Sequence, residues 1–484
     1  MTATLTRPPT AGRLDLDDIS ATIDAEMRAA RVPGLALAVI AGGEVVHAGG
    51  YGVTSADSPM PVTGDTLFRL ASVTKILTGV AIMRLVESGR LDLDRPLAED
   101  LPRLRLRRPG LAGRITLRML LSHTSGLPEG SVERPWRQER REWEGLGDHV
   151  HDDLRRLPSV GEPGELYYYS NLGINLAGYL AQEVTGTPFP RLLDELVIQP
   201  LGMERTTLDP TVAMTYPLAQ RHRLDEAGRL RVRRDGGDNC GFHPSGYAFS
   251  TVADTARVLQ LHLAGGVFAG QRLLRPETVR EMQRPHVDLL LARPLGYGLT
   301  WLIEPSYKGI RRVGHEGVLR GYCAKVVFAP REGAGVVLFY NHEYNETPRF
   351  FAARERIIDA VFDRVLGLPD GPATAPGPPT GSFDPRWAGE YGQILGTGTA
   401  ELSIRDGRPH LRYGPAGDGV TVPLRQTRPG AYESVLADRE LPAVPWPRTP
   451  YLIIDRVSVG IPSGSAGYIA VNGQPYRRLS GPGG

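Results

Sequence analysis

The sequence predicts an α/β chain of the α+β type: one antiparallel sheet with an inserted helical subdomain, then a small all-β barrel. Three observations predict it. Hairpin-like segments stand near both ends of the region 18–369. The long middle between them reads as helices and loops. A Pro- and Gly-rich stretch, 370–383, then gives way to short runs of alternating polarity. A chain of 484 residues also exceeds what one hydrophobic core normally serves.

The elements follow in order. Residues 1–17 read as a flexible arm, and a helix is expected from near Asp18 to about Arg31. GLALAVI (34–40), the Gly42-Gly43 turn and EVVHAGGYGV (44–53) form a hairpin, which makes these strands antiparallel. SVTKILTGVAIMRLVESG (72–89) and NLGINLAGYLAQEVTG (171–186) read as helices. CAKVVFAP (323–330) and VVLFYN (336–341), joined by a turn, form a second hairpin, and a helix follows from Pro348 to Leu366. DGPATAPGPPTGSF (370–383) has the composition of a linker. Residues 384–484 contain runs such as AELSIRDGRPHLRY, with an Asp406-Gly407 turn, and are expected to form the barrel.

Composition excludes some functions. Hydrophobic residues are 41% and charged residues 23%, an ordinary globular balance. A net charge of +2 offers no field to recruit nucleic acid or a membrane surface. No glycine motif cradles a phosphate, and no cofactor is implied. Cys240 and Cys323 fit no metal spacing; they allow one disulfide or two reduced thiols. His149 and His151 lack a third ligand, so no metal is expected. The opening MTATLTRPPTAGRLDLDD has no apolar run for a signal peptide, and no stretch reaches membrane-spanning length. A cytoplasmic location is therefore expected, which argues against cell-wall trimming.

Three short motifs carry chemistry. Ser72 and Lys75 lie three apart, on one face at the start of an apolar helix. Helix-terminal N–H groups favour negative charge at Ser72, and burial would lower the Lys75 pKa so that it accepts the serine proton. Alone the pair reads better as an N-cap serine and a surface lysine, but the helix beyond Lys75 is apolar nearly all round and so is buried. Tyr169 and Asn171 follow GEPGELYY: the phenol can relay a proton and the amide can hold a carbonyl. His315 and Gly317 precede the last hairpin, where a strand can lend an N–H to an oxyanion hole and glycine permits close approach.

In this order Ser72-x-x-Lys75, Tyr169-x-Asn171 and His315-x-Gly317 resemble the motifs of serine β-lactamases and penicillin-binding proteins. The stretches LFRLASVTKILTG, ITLRMLLSHTSGLPEG, PGELYYYSNLGINLAGYLAQEVTG, VIQPLGMERT and GHEGVLRGY extend the likeness over most of 18–365. The chain is similar to class C β-lactamases, family VIII esterases, D-aminopeptidases and DD-peptidases. Residues 386–415 resemble the lipocalin-like barrel appended to several of them. The resemblance implies Ser72 as acylated nucleophile, Lys75 as its base and Tyr169 as acid and base toward the leaving group. It makes Asn171 and His315 substrate-binding, and the N–H groups of Ser72 and Val318 the oxyanion hole beside Gly317. Departures are His315 in place of lysine, Glu316 in place of a small residue, and Tyr247 where HPSGYAFST (243–251) would carry a second glycine. Glu316 is harmless if it points away from the cleft, and Tyr247 is expected to narrow the pocket. The segment 129–156, with Trp136 and Trp143, reads as a lid or a solvated insertion, and His123 as a hydrogen-bonded loop residue.

The resulting expectation is a serine hydrolase acting on a small ester, amide or peptide, including those built from D-amino acids. Acyl transfer or peptide cyclisation on the same fold, and a ligand sensor without turnover, are the alternatives.

Overall fold

The computed structural model describes residues 16–130, 144–234, 237–342, 348–369, 383–393, 399–414, 419–435, 457–461, 467–472 and 474–480. The N-terminal arm, the linker and both Trp136 and Trp143 lie wholly or almost wholly outside these residues. An eight-stranded antiparallel sheet is built from both ends of the first region. Its strands are β1 (Gly34–Ala41), β2 (Glu44–Gly52), β3 (Val287–Asp288), β4 (Gly296–Tyr297), β5 (Leu302–Tyr307), β6 (Ile310–Leu319), β7 (Tyr322–Ala329) and β8 (Ala334–Tyr340). Their spatial order is β2-β1-β8-β7-β6-β5-β4-β3. Both expected hairpins are present. The first turns on Gly42 and Gly43, whose φ angles of 60° and 84° only glycine adopts without strain.

Strand alternation divides the residues of β1 between two cores. Leu35, Leu37 and Val39 pack with Ile23 of α1 (Leu16–Ala30) and with Ile357 and Val361 of a C-terminal helix, Pro348–Leu366. Ala36, Ala38 and Ile40 face the helical region, joining Val73, Ile76 and Val80. That region includes α2 (Thr74–Glu87) and α3 (Asn171–Thr185). Nearly every residue of α2 is buried, as its unbroken apolar run predicts. Gly186, at φ 67°, ends α3 with a left-handed cap.

The predicted start of α2 differs in one respect. Ala71–Val73 form a short 3-10 turn, and the α-helix begins at Thr74. Ala71 has φ 46°, so the chain enters the helix through a strained left-handed residue directly before Ser72.

Residues 389–480 contribute eight strands, Gly389–Gln393 through Gln474–Ser480, that close into an antiparallel barrel. The barrel meets the outer edge of the sheet. Arg428 donates to both Asp288 carboxylate oxygens, at 2.7 and 2.8 Å, and to the Leu291 carbonyl at 3.1 Å. Thr427 donates to the Ala292 carbonyl at 2.8 Å. No helix among the described residues is long and apolar enough to cross a membrane. Cys240 and Cys323 are both buried, and neither is in a disulfide.

Candidate active site

Lys75 sits at the centre of the site and is fully buried. Its Nζ lies 3.0 Å from Ser72 Oγ, 2.7 Å from Asn171 Oδ1 and 2.7 Å from the Ser245 carbonyl oxygen. The Tyr169 ring centroid is 4.8 Å away. The 3-10 turn presents Ser72, the first turn of α2 presents Lys75, and the N-terminus of α3 presents Asn171, capped by Ser170 Oγ on the Gly173 N–H. Burial pushes the Lys75 ammonium well below its ordinary pKa; the carboxylate of Glu129 pulls it the other way. The three neighbours suit a neutral amine. Two are carbonyl oxygens, which only accept, and take its two N–H bonds. The third is a hydroxyl, which can donate to the remaining lone pair.

Strand β6 borders this group. Gly317 passes so close that a Cβ there would lie 2.3 Å from the Leu70 carbonyl oxygen and 2.7 Å from the Ser72 nitrogen. Only glycine fits at that approach. Val318, next along the strand, pairs with Cys323 of β7. His315 is buried; its Nδ1 lies 2.7 Å from the Glu316 carbonyl and its Nε2 2.8 Å from Tyr297 Oη. The carbonyl requires Nδ1 to donate, so Nε2 accepts the Tyr297 hydroxyl proton. Burial and the nearby Lys75 hold the His315 pKa down, to about 3, leaving the ring neutral. Glu316 points to the opposite face, where it pairs with the fully buried Arg354. The strand's alternation thus removes it from the cleft.

Tyr247 is 2% exposed. The structure places its ring beneath the Arg69 guanidinium, 4.7 Å from the centroid, and its carbonyl accepts from Arg69 Nη1 at 3.1 Å. It packs beside Phe242 in the core and supports the loop that supplies the Ser245 carbonyl. His149 is buried with its Nε2 3.6 Å from Asp153, and His151 contacts Tyr179 Oη at 3.1 Å.

Four contributors were not assigned a part in the chemistry from sequence, although His123 is the hydrogen-bonded loop residue expected. Ser245 acts through a backbone carbonyl, which leaves no side-chain signal. Tyr297 belongs to no motif. Glu129 accepts from Asn171 Nδ2 at 3.3 Å, and burial raises its carboxyl pKa. His123, fully buried, accepts the Ser170 N–H at Nδ1 (3.1 Å), and its ring packs on Tyr169 (4.5 Å) and Tyr297 (4.8 Å). An acidic residue directly after an apolar Leu-Pro, and a histidine closing an apolar run, are the only signals the sequence offers for these two.

Against known proteins, this sheet and this cluster have a clear counterpart. A family model described as Beta-lactamase matches residues 19–360, and the chain belongs to that family. Esterase EstB of Burkholderia gladioli is 36% identical over 210 residues, 40% of this chain and 53% of that protein. The match therefore spans about half of that relative's length. Penicillin-binding protein 4 of Amycolatopsis lactamdurans is 28% identical over 329 residues, 64% of this chain and 81% of that protein. Among solved structures, the D-amino acid amidase of Ochrobactrum anthropi is 26% identical with TM-score 0.61, covering 72% of this chain and 99% of that one. The octameric penicillin-binding protein homologue of Pyrococcus abyssi, at 22% identity and TM-score 0.61, covers 96% of this chain, barrel included, and 99% of that chain.

Proposed function

We propose that this chain is a serine hydrolase that cleaves a small ester or amide through an acyl-enzyme on Ser72. The observation that carries the reading is the position of Lys75 Nζ, 3.0 Å from Ser72 Oγ with its other two partners both acceptors. Neutral Lys75 takes the Ser72 hydroxyl proton as Oγ attacks the substrate carbonyl. The oxyanion forms against the N–H groups of Ser72 and Val318, beside Gly317. Tyr169 passes a proton to the leaving alcohol or amine, and Asn171 holds the acyl group. Water then attacks the ester on Ser72, and Oγ leaves with a proton.

Glu129 favours an acyl group that carries an ammonium. Its carboxylate is only partly exposed, beside Asn171 and Lys75. The D-amino acid amidase relative makes D-amino acid amides and esters the first class to try. Neutral His315 offers no cation to a β-lactam carboxylate, so cephalosporins are expected to be poor substrates.

The test is a panel of p-nitrophenyl esters, D- and L-amino acid amides, their N-acetylated forms and a chromogenic cephalosporin. It is run alongside intact-mass detection of a fluorophosphonate adduct. One adduct is expected on the wild type and none on Ser72→Ala, with free-amine D-substrates preferred over N-acetylated ones. Labelling that survives in Ser72→Ala overturns the nucleophile. Cephalosporin turnover that matches the best ester overturns the substrate class.

A further inference from the structure

We propose that His123 is a positioning residue that holds Tyr169 in the geometry for proton delivery to the leaving group. The inference rests on the acid role given to Tyr169 above. The loop 123–129 lies along the segment 168–172 and grips it at successive points. The His123 carbonyl accepts the Tyr168 N–H at 2.8 Å. The His123 ring, through Nδ1, accepts the Ser170 N–H at 3.1 Å. One residue therefore clamps the amides on either side of Tyr169. Further along, the Pro128 carbonyl accepts from Ser170 Oγ at 2.6 Å, and the Glu129 carbonyl accepts the Leu172 N–H at 3.0 Å.

The same ring supports the phenol from the side. Its centroid is 4.5 Å from that of Tyr169 and 4.8 Å from that of Tyr297, whose hydroxyl donates to His315. His123 thus ties the Tyr169 segment to the β6 side of the site. Because Nδ1 accepts an N–H, the neutral ring carries its proton on Nε2. That Nε2 is buried with no hydrogen-bond partner among the described residues. A histidine chosen only for packing would not need to leave a buried donor unsatisfied, a cost ordinarily avoided.

The backbone points the same way. His123 has φ 59°, a left-handed conformation that glycine or asparagine adopts more easily. Strain of this kind persists where the surroundings over-determine it, and it clusters at functional sites. Here it directs both the carbonyl and the ring of one residue toward the same short segment. Tyr169 stands in irregular chain: no helix or strand covers residues 157–170, and α3 starts only at Asn171. The clamp supplies the rigidity that a strand or helix would otherwise give.

The experiment compares wild type with His123→Gly, His123→Asn and Tyr169→Phe. Glycine relieves the φ requirement but removes the acceptor; asparagine tolerates the φ and places Oδ1 near the position of Nδ1. Each protein is assayed over esters of one acyl group with leaving phenols of rising pKa, ending at the amide. A poor leaving group needs its proton and a good one does not. His123→Gly is expected to lose at least about tenfold in kcat on the poorest leaving group and under about threefold on the best. His123→Asn should recover most of that loss, and Tyr169→Phe should show the steepest dependence. A uniform loss across the series in His123→Gly overturns the proposal. So does equal behaviour of Gly and Asn, or failure of the Gly variant alone to fold. If Tyr169→Phe itself shows no leaving-group dependence, the acid assignment falls and this proposal falls with it, whereas a uniform His123→Gly loss beside a steep Tyr169→Phe series overturns the proposal alone.

Discussion

The two faces of strand β6 carry opposite chemistry within three residues. Toward the cleft stand His315 and Gly317, one neutral and one without a side chain. Away from it stands Glu316, paired with Arg354, which also contacts Glu355 at 2.8 Å. Lys325 of the neighbouring strand completes that group, 2.6 Å from Glu355. The back face is thus an ion network sealed under the C-terminal helix. The cleft side of the strand itself carries no charged side chain, and the lysine it borders is pressed toward neutrality by burial. Fixed ion pairs suit a face that must hold shape; a site that has to move a proton needs groups with their charge withheld.

The front is the easier face to break. Gly317→Ala places a methyl 2.3 Å from the Leu70 carbonyl oxygen and 2.7 Å from the Ser72 nitrogen, so backbone on one side must move. The Ser72 nitrogen is one donor of the proposed oxyanion hole, where losing one donor costs on the order of a hundredfold or more in kcat. We expect that loss with KM changed much less, measured on an activated ester. Near wild-type turnover would show that the strand approaches Ser72 for packing alone.

The back should answer in stability instead. Arg354→Ala leaves Glu316 as an uncompensated buried charge, at a cost of roughly 3–5 kcal/mol. Replacing both partners, as in Glu316→Gln with Arg354→Met, should restore much of it, because neither charge then needs solvation. Denaturant unfolding monitored on the catalytic region measures both. If Arg354→Ala lowers kcat at permissive temperature as strongly as Gly317→Ala does, the division between the faces is wrong.

The front was largely legible in the sequence because its groups sit at fixed short spacings. Ser72 and Lys75 share a helical face, and Tyr169 and Asn171 straddle an N-cap. Residues 315–317 alternate along one strand. Those spacings are local geometry, which sequence encodes directly. Glu316 was readable as pointing either way, and its partner was not, since Arg354 lies 38 positions on. His123 and Glu129 were missed as functional groups for the same reason. They meet Ser170 and Asn171 across 47 and 42 positions, and a loop's path decides that meeting. Both ends of the sheet were visible as hairpins, whereas the barrel's grip on Asp288 through Arg428 follows from docking rather than from any motif.

The smallest effect tests the one fixed charge that does reach the front. Glu129 favours the charged form of Lys75, so it holds that amine's pKa up against burial. Lys75 is required in its neutral form, and activity is therefore lost as pH falls through its folded pKa. Glu129→Gln removes the stabilising charge and keeps an acceptor for Asn171. The Lys75 pKa then drops further, and the acid limb of kcat/KM moves to lower pH. Burial also raises the pKa of Glu129 itself, so the wild-type and variant profiles should converge once the pH is below that value. The measurement is a pH profile on an ester without an amino group, which separates this effect from any loss of ammonium binding. An acid limb that stays in place, or moves upward, would mean that the charge of Glu129 does not reach Lys75. The front face would then be free of fixed charge altogether.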